Sequence, residues 1–157
     1  MDTGYQLNKL ITDQDLENEI QRIKLEVVSM WTLVESQLNK SRTALLNSDR
    51  DLAREIVLKE KRVNAFEIKL DRDCEDIFAL YCPVAIDLRF LLAVLKINNN
   101  LERIGDIAEG IAKYIIESTS PYDNTLLAKT EVIKMYDDSI KILADTQIGR
   151  ASCRERV

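Results

Sequence analysis

Residues 83–113 read Pro83-Val-Ala-Ile-Asp-Leu-Arg-Phe-Leu-Leu-Ala-Val-Leu-Lys-Ile-Asn-Asn-Asn-Leu-Glu-Arg-Ile-Gly-Asp-Ile-Ala-Glu-Gly-Ile-Ala-Lys113. Within and just beyond this stretch Phe90, Val94, Ile97, Leu101, Ile104, Ala108, Ile111 and Ile115 recur at alternating spacings of four and three. That is the stripe of one long helix facing a packed core. Beside it Asn99, Glu102, Asp106 and Glu109 recur at spacings of three, four and three, so three carboxylates and an amide share one edge of the helix.

Toward the N-terminus the same periodicity returns twice. Leu16, Ile20, Ile23, Val27, Met30 and Val34 begin a helix at Asp15 that Leu38 and Leu45 carry to about Asn47, with residues 1–14 as a polar lead-in. Ser48-Asp49-Arg50-Asp51 supplies turn and N-cap residues, after which Leu52, Ile56, Val63, Phe66, Leu70, Ile77 and Leu80 mark a second helix. Pro83 lacks an amide donor and interrupts the pattern. Each helix is about 30 residues, or about 45 Å at 1.5 Å per residue. Equal lengths joined by short turns predict an all-α fold, an antiparallel three-helix bundle over residues 15–118.

Beyond it, Ser118-Thr119-Ser120-Pro121-Tyr122-Asp123-Asn124-Thr125 is loop chemistry. Leu126, Ile133, Tyr136, Ile140 and Leu143 then begin a fourth amphipathic helix, so residues 119–147 read as a loop and the first helix of a second, truncated bundle. Its apolar face is expected to be poorly covered. Residues 148–157, Ile-Gly-Arg-Ala-Ser-Cys-Arg-Glu-Arg-Val, look like the in-frame translation of a sequencing adapter. They are read as a non-native scar, expected to be disordered, with the native chain stopping near Gln147.

The chain has 157 residues, 46% hydrophobic and 31% charged, which is globular composition. Its formal charge is −5, and setting aside the three Arg and one Glu of the last ten residues makes it −7. An acidic balance with no basic cluster argues against nucleic acid as a partner. Neither a basic-then-apolar leader nor a membrane-length apolar run is present, so a cytosolic chain is expected. Cys74 and Cys82 are isolated, which fits reduced structural thiols rather than a disulfide or thiolate metal site. No phosphate-binding glycine loop occurs. The bundle's internal glycines, Gly105 and Gly110, read either as points of close helix crossing or as room for something to approach the acidic edge.

The second helix carries a matching polar edge of Glu60, Asn64, Glu67 and Asp71. Glu67/Asp71 and Glu102/Asp106 are both Glu-x-x-x-Asp, two carboxylates one turn apart on one face, where like charges repel. Two readings stand at this point. One is a solvated face flanked by Lys59, Lys69 and Arg103; the other is a cation held between the carboxylates. The chain has no His, which excludes nitrogen-ligated zinc and the Glu-x-x-His signature of di-iron bundles. All-oxygen ligation favours Mg²⁺ or Mn²⁺, with iron where carboxylates bridge. Asp87 falls in the first turn of the third helix, where a negative charge suits the helix N-terminus, and Arg89 is placed to pair with it or with a carboxylate of the second helix. The alternative for both is a partner-contact surface at the Pro83 corner.

Pro83-Val84-Ala85-Ile86-Asp87-Leu88-Arg89, then Leu95-Lys96-Ile97 and Leu101-Glu102-Arg103-Ile104-Gly105-Asp106, resembles the central signature of the PhoU family of phosphate-signalling regulators. Glu60, Val63, Asn64 and Glu67, and the region from Met30 to Asp51, extend the resemblance over nearly all of residues 1–147. The resemblance implies tandem three-helix bundles and metal clusters held by Glu67/Asp71 and Glu102/Asp106, with Glu60 and Asn64 lining the site. It further implies a non-enzymatic cytoplasmic homodimer that restrains the phosphate-starvation response. Its implied partners are the ATPase subunit of the phosphate ABC transporter and the phosphate-sensing histidine kinase. The chain departs from the family pattern at Asn100, commonly Asp, at Gly110, commonly Asn, and at Ile107, often His, which reduces the ligand set.

Two rival readings come from other classes. An all-α Mg-dependent nucleotide pyrophosphatase of the MazG type also sets carboxylates on bundle helices, but through Glu-x-x-Glu and Glu-x-x-Asp spacings rather than pairs four apart. A PhoU-like domain of a sodium-phosphate cotransporter would be expected to follow a membrane span, and about a dozen residues precede the first helix pattern here.

Overall fold

The computed structural model describes the backbone of residues 3–122 and 124–153, and the side chains of residues 13–122 and 125–146. Five helices follow in order: α1 (Thr3–Asn47), α2 (Arg50–Tyr81), α3 (Ala85–Glu117), α4 (Asn124–Lys129) and α5 (Val132–Cys153). No strand occurs among the described residues, so the all-α expectation holds. Within the described residues no helix is long and apolar enough to cross a membrane.

The chain divides into two compact units, residues 1–31 with 62–102 and residues 32–61 with 103–157. In the first, Ile23, Met30, Leu70, Ile77, Leu91 and Val94 are fully buried. Cys74 lies among them, and burial, helped by the charges of Asp71, Asp73 and Glu75, pushes its thiol up to about 12, so it stays protonated as a structural residue. Lys69 joins α2 to α1 by pairing with Glu26 and, at 2.8 Å, with Asp73 on its own helix. At the far end of this unit α2 stops at Tyr81. Cys82 takes a left-handed conformation (φ 46°) before buried Pro83, and Ala85, the first residue of α3, takes another (φ 49°).

The second unit contains the α1–α2 turn, and its geometry follows from four residues. Ser48 adopts φ 50°, and the amides of Ser48 and Asp49 reach back to Leu45 O (3.5 Å) and Ala44 O (2.9 Å), which closes the last turn of α1. Asp49 then caps α2, its Oδ1 accepting from the amides of Asp51 (3.0 Å) and Leu52 (2.9 Å). One residue thus ends one helix and starts the next, as the turn chemistry of Ser48–Asp51 predicts.

Four expectations are corrected. α1 begins at Thr3 rather than Asp15, because nothing in the polar lead-in breaks a helix once one has formed. The fourth helix is interrupted: Thr130 Oγ1 turns back onto Leu126 O (3.0 Å) and Leu127 O (3.2 Å), Glu131 takes φ 53°, and α5 restarts at Val132. Nor does α5 stand uncovered. Leu127, Tyr136 and Leu143 are buried, Tyr136 Oη lies 2.7 Å from Ser41 Oγ, and Arg42 Nε donates to Asp137 Oδ1 at 2.7 Å, so α5 packs on α1. The backbone of α5 stays helical through Cys153, which covers much of the tail expected to be disordered, while residues 154–157 lie outside the described residues.

Candidate functional site

The polar edges become specific when burial is followed along each helix. On α3 the buried line runs through Leu91, Val94, Asn98, Leu101, Gly105, Ala108, Ala112 and Ile115. It lies one position away from much of the expected stripe, since Phe90, Ile97, Ile104 and Ile111 are only half-buried. On α2 it runs through Ala53, Ile56, Glu60, Val63, Leu70, Cys74 and Ile77, with half-buried Glu67 at the same register. An amide on α3 and carboxylates on α2 therefore occupy core positions.

In the first unit lie Asn64, Glu67, Asp71 and Glu102 of the expected metal edge. Asn64 is exposed, and Glu67, Asp71 and Glu102 are half-buried. Neither Glu67 nor Asp71 enters an ion pair among the described residues: Lys69, the expected flanking cation, is taken by Glu26 and Asp73, and Arg103 forms no ion pair. What does meet Asp71 is Asn98, a residue that periodicity did not single out. Its Nδ2 donates to Asp71 Oδ1 at 2.8 Å and to Glu67 O at 2.9 Å, while its Oδ1 is buried and accepts no hydrogen bond. The available signal was its position, four residues after Val94, three before Leu101 and one turn before Glu102.

In the second unit lie Glu60 and Asp106. Glu60 is 2% exposed. With the Gln37 amide oriented so that its own oxygen and nitrogen are both satisfied, Gln37 Nε2 donates to Glu60 Oε2 at 3.0 Å and its Oε1 accepts from the Glu60 amide at 3.2 Å. Glu60 is thus turned toward α1 rather than lying along an open edge. Asp106 is exposed. Lys113 Nζ donates to Glu109 Oε2 at 2.7 Å. That bond, with the charges of Glu109, Asp106 and Glu60, raises its ammonium above the usual range. Here a side chain supplies the positive charge; at Glu67 and Asp71 none does.

Among the described residues no three acidic or thiol side chains converge into a ready metal cage. The first unit offers instead a row of hard oxygen donors beside a buried amide with an unused acceptor. That donor set fits a hydrated hard cation, which keeps several waters and needs only one or two carboxylates. Asp87 is half-buried in the first turn of α3, its amide donating to Val84 O at 3.2 Å, and Arg89 is exposed. The expected ion pair does not form between Arg89 and Asp87 or any carboxylate of α2 among the described residues. Around them Leu80, Val84 and Ile86 are more than 70% exposed, so the corner presents apolar surface.

Comparison with known proteins places this geometry in a family. The chain is 37% identical over 150 residues to the phosphate-specific transport system accessory protein PhoU of Edwardsiella tarda, covering 92% of this chain and 61% of that one. It is 35% identical over 150 residues to the protein of the same name from Escherichia coli (strain K12), covering 92% of this chain and 62% of the relative. The crystal structure of the phosphate transport system regulatory protein PhoU from Streptococcus pneumoniae superposes with a TM-score of 0.73 at 26% identity. That match covers 85% of this chain and 61% of that one. The chain thus spans less than two thirds of the length of these relatives. The model of the PhoU domain matches residues 27–115, from within α1 to nearly the end of α3, and the chain belongs to the PhoU domain family.

Proposed function

We propose that the protein is a non-enzymatic, cytoplasmic regulator of phosphate uptake that restrains the phosphate-starvation response through protein contacts. The observation that carries this reading is the match of the PhoU domain over residues 27–115, joined to relatives named as accessory proteins of the phosphate-specific transport system. Its partners in this reading are the ATPase subunit of the phosphate ABC transporter and the phosphate-sensing histidine kinase, and it acts as a homodimer. Asp87 and Arg89 at the exposed apolar corner of α3 are the contact residues.

A divalent cation, Mg²⁺ or Mn²⁺, or iron, belongs to the same reading. Glu67, Asp71 and Glu102 would hold it in the first unit, with Asn64 beside them, and Asp106 would supply a carboxylate in the second, where Glu60 is engaged by Gln37 instead. Bound there, the ion would offset carboxylate repulsion and fix the faces that partners meet. The support is that Glu67 and Asp71 lack a basic partner among the described residues.

The test is made in a bacterium deleted for its own PhoU protein and carrying an alkaline phosphatase reporter. Expression of this chain is expected to lower the reporter in phosphate-replete medium. Reporter activity that stays high at matched levels of folded protein overturns the regulatory reading. Rapid nucleotide hydrolysis by the pure protein with Mg²⁺ or Mn²⁺ overturns its non-enzymatic part.

A further inference from the structure

Asn98 is 1% exposed, at a position in α3 that an apolar side chain would fill as Val94 and Leu101 do. Its orientation is fixed because both atoms that it meets, Glu67 O and Asp71 Oδ1, are acceptors, so Nδ2 must face them. Its Oδ1 is then left buried without a donor. A lone buried acceptor is a cost that a leucine would avoid, so packing alone does not account for an amide at this position. What the amide adds is a hold on Asp71. One carboxylate oxygen is engaged at 2.8 Å by the amide, and the other makes no hydrogen bond or ion pair among the described residues.

We propose that Asn98 is a positioning residue for the Glu67/Asp71 pair: its amide pins one oxygen of Asp71 and the turn at Glu67, so that the free oxygen of Asp71 is presented to a hydrated divalent cation. The inference rests on the metal reading above and adds to it a residue outside the Glu-x-x-x-Asp pairs. Partners that orient a metal-ligating carboxylate contribute to affinity without touching the ion, and their loss weakens binding by about 10–100-fold. A polar residue kept in a helical core only to set register would behave differently, since its loss changes stability equally with and without metal.

The probe is Mn²⁺ itself, titrated into the full chain at fixed temperature and followed by the electron paramagnetic resonance signal of the free ion. Asn98→Leu is expected to raise the Kd for Mn²⁺ about tenfold or more, while its metal-free melting temperature stays level or rises. Asn98→Ala is expected to raise the Kd likewise and decides the matter if the leucine variant does not fold. In an Asp71→Asn background the Asn98 substitution is expected to change the Kd no further, because it acts through Asp71. A Kd within about twofold of the wild type for the folded Asn98 variants, or full additivity with Asp71→Asn, overturns the positioning role and leaves the metal reading standing. If the unaltered protein binds no Mn²⁺, the metal reading fails and the positioning role falls with it.

Discussion

Gly110 sits inside α3 with no left-handed conformation to justify it, and a Cβ built there meets nothing within 4 Å. Close helix crossing, one of the two readings of the bundle's glycines, therefore does not apply at this position. In a helix interior glycine is less favourable than alanine by about 0.5–1 kcal/mol, because it loses more backbone freedom on folding. Gly110→Ala is expected to stabilise the protein by that amount, raising the melting temperature by about 1–4 °C for a chain of this size. Calorimetry reads this directly. A fall in melting temperature would mean that the open space around Gly110 is needed for packing.

Each long helix repeats its buried positions every seven residues, and how well the sequence reveals that line depends on what occupies it. On α1 the line Ile20, Ile23, Val27, Met30 and Val34 is apolar and was legible. On α3 the line passes through Asn98, Gly105 and Ala112, which carry little hydrophobic signal, so the larger residues Ile97, Ile104 and Ile111 beside it drew the expected stripe off centre. The same cause hid Gln37 and made Glu60 read as part of an open edge, although both occupy core positions and hydrogen-bond each other. The Glu-x-x-x-Asp motifs were legible as chemistry because spacing alone puts their members on one face, whereas Asn98 needed tertiary contacts to be seen. α5 was misjudged for a related reason: helical periodicity identified its apolar face but not the surface of α1 that receives it. Ser41 is fully buried and meets the buried Tyr136 hydroxyl, whose pKa burial pushes up. Removing one partner leaves the other unsatisfied at a cost of about 1–3 kcal/mol. Hydrogen exchange is expected to show protected amides over residues 132–146, and Tyr136→Phe to speed their exchange about tenfold if it removes about 1.4 kcal/mol. Equal exchange in the two proteins would mean that α5 is held without this bond.

The chain as a whole carries a formal charge of −5, and each unit has its own set of carboxylates. Self-repulsion of that kind lowers the stability of the compact state, and any cation bound by the folded form alone recovers it. The second unit has a built-in answer in Lys113, bonded to Glu109. The first leaves Glu67 and Asp71 without a basic partner, and Glu102 follows Asn98 by one turn of α3. Added Mn²⁺ is therefore expected to raise the melting temperature in proportion to the logarithm of free metal once the site is saturated, an increment of about 2.7 kcal/mol at a hundredfold excess over Kd. Glu102→Gln keeps the side chain's shape and removes its charge, so it is expected to abolish most of that rise. A residue that merely pairs within the fold would cost the same stability with and without Mn²⁺. If Glu102→Gln melts with the same metal-dependent shift as the unaltered protein, Glu102 is not a ligand, and the carboxylate row of α3 is a solvated face.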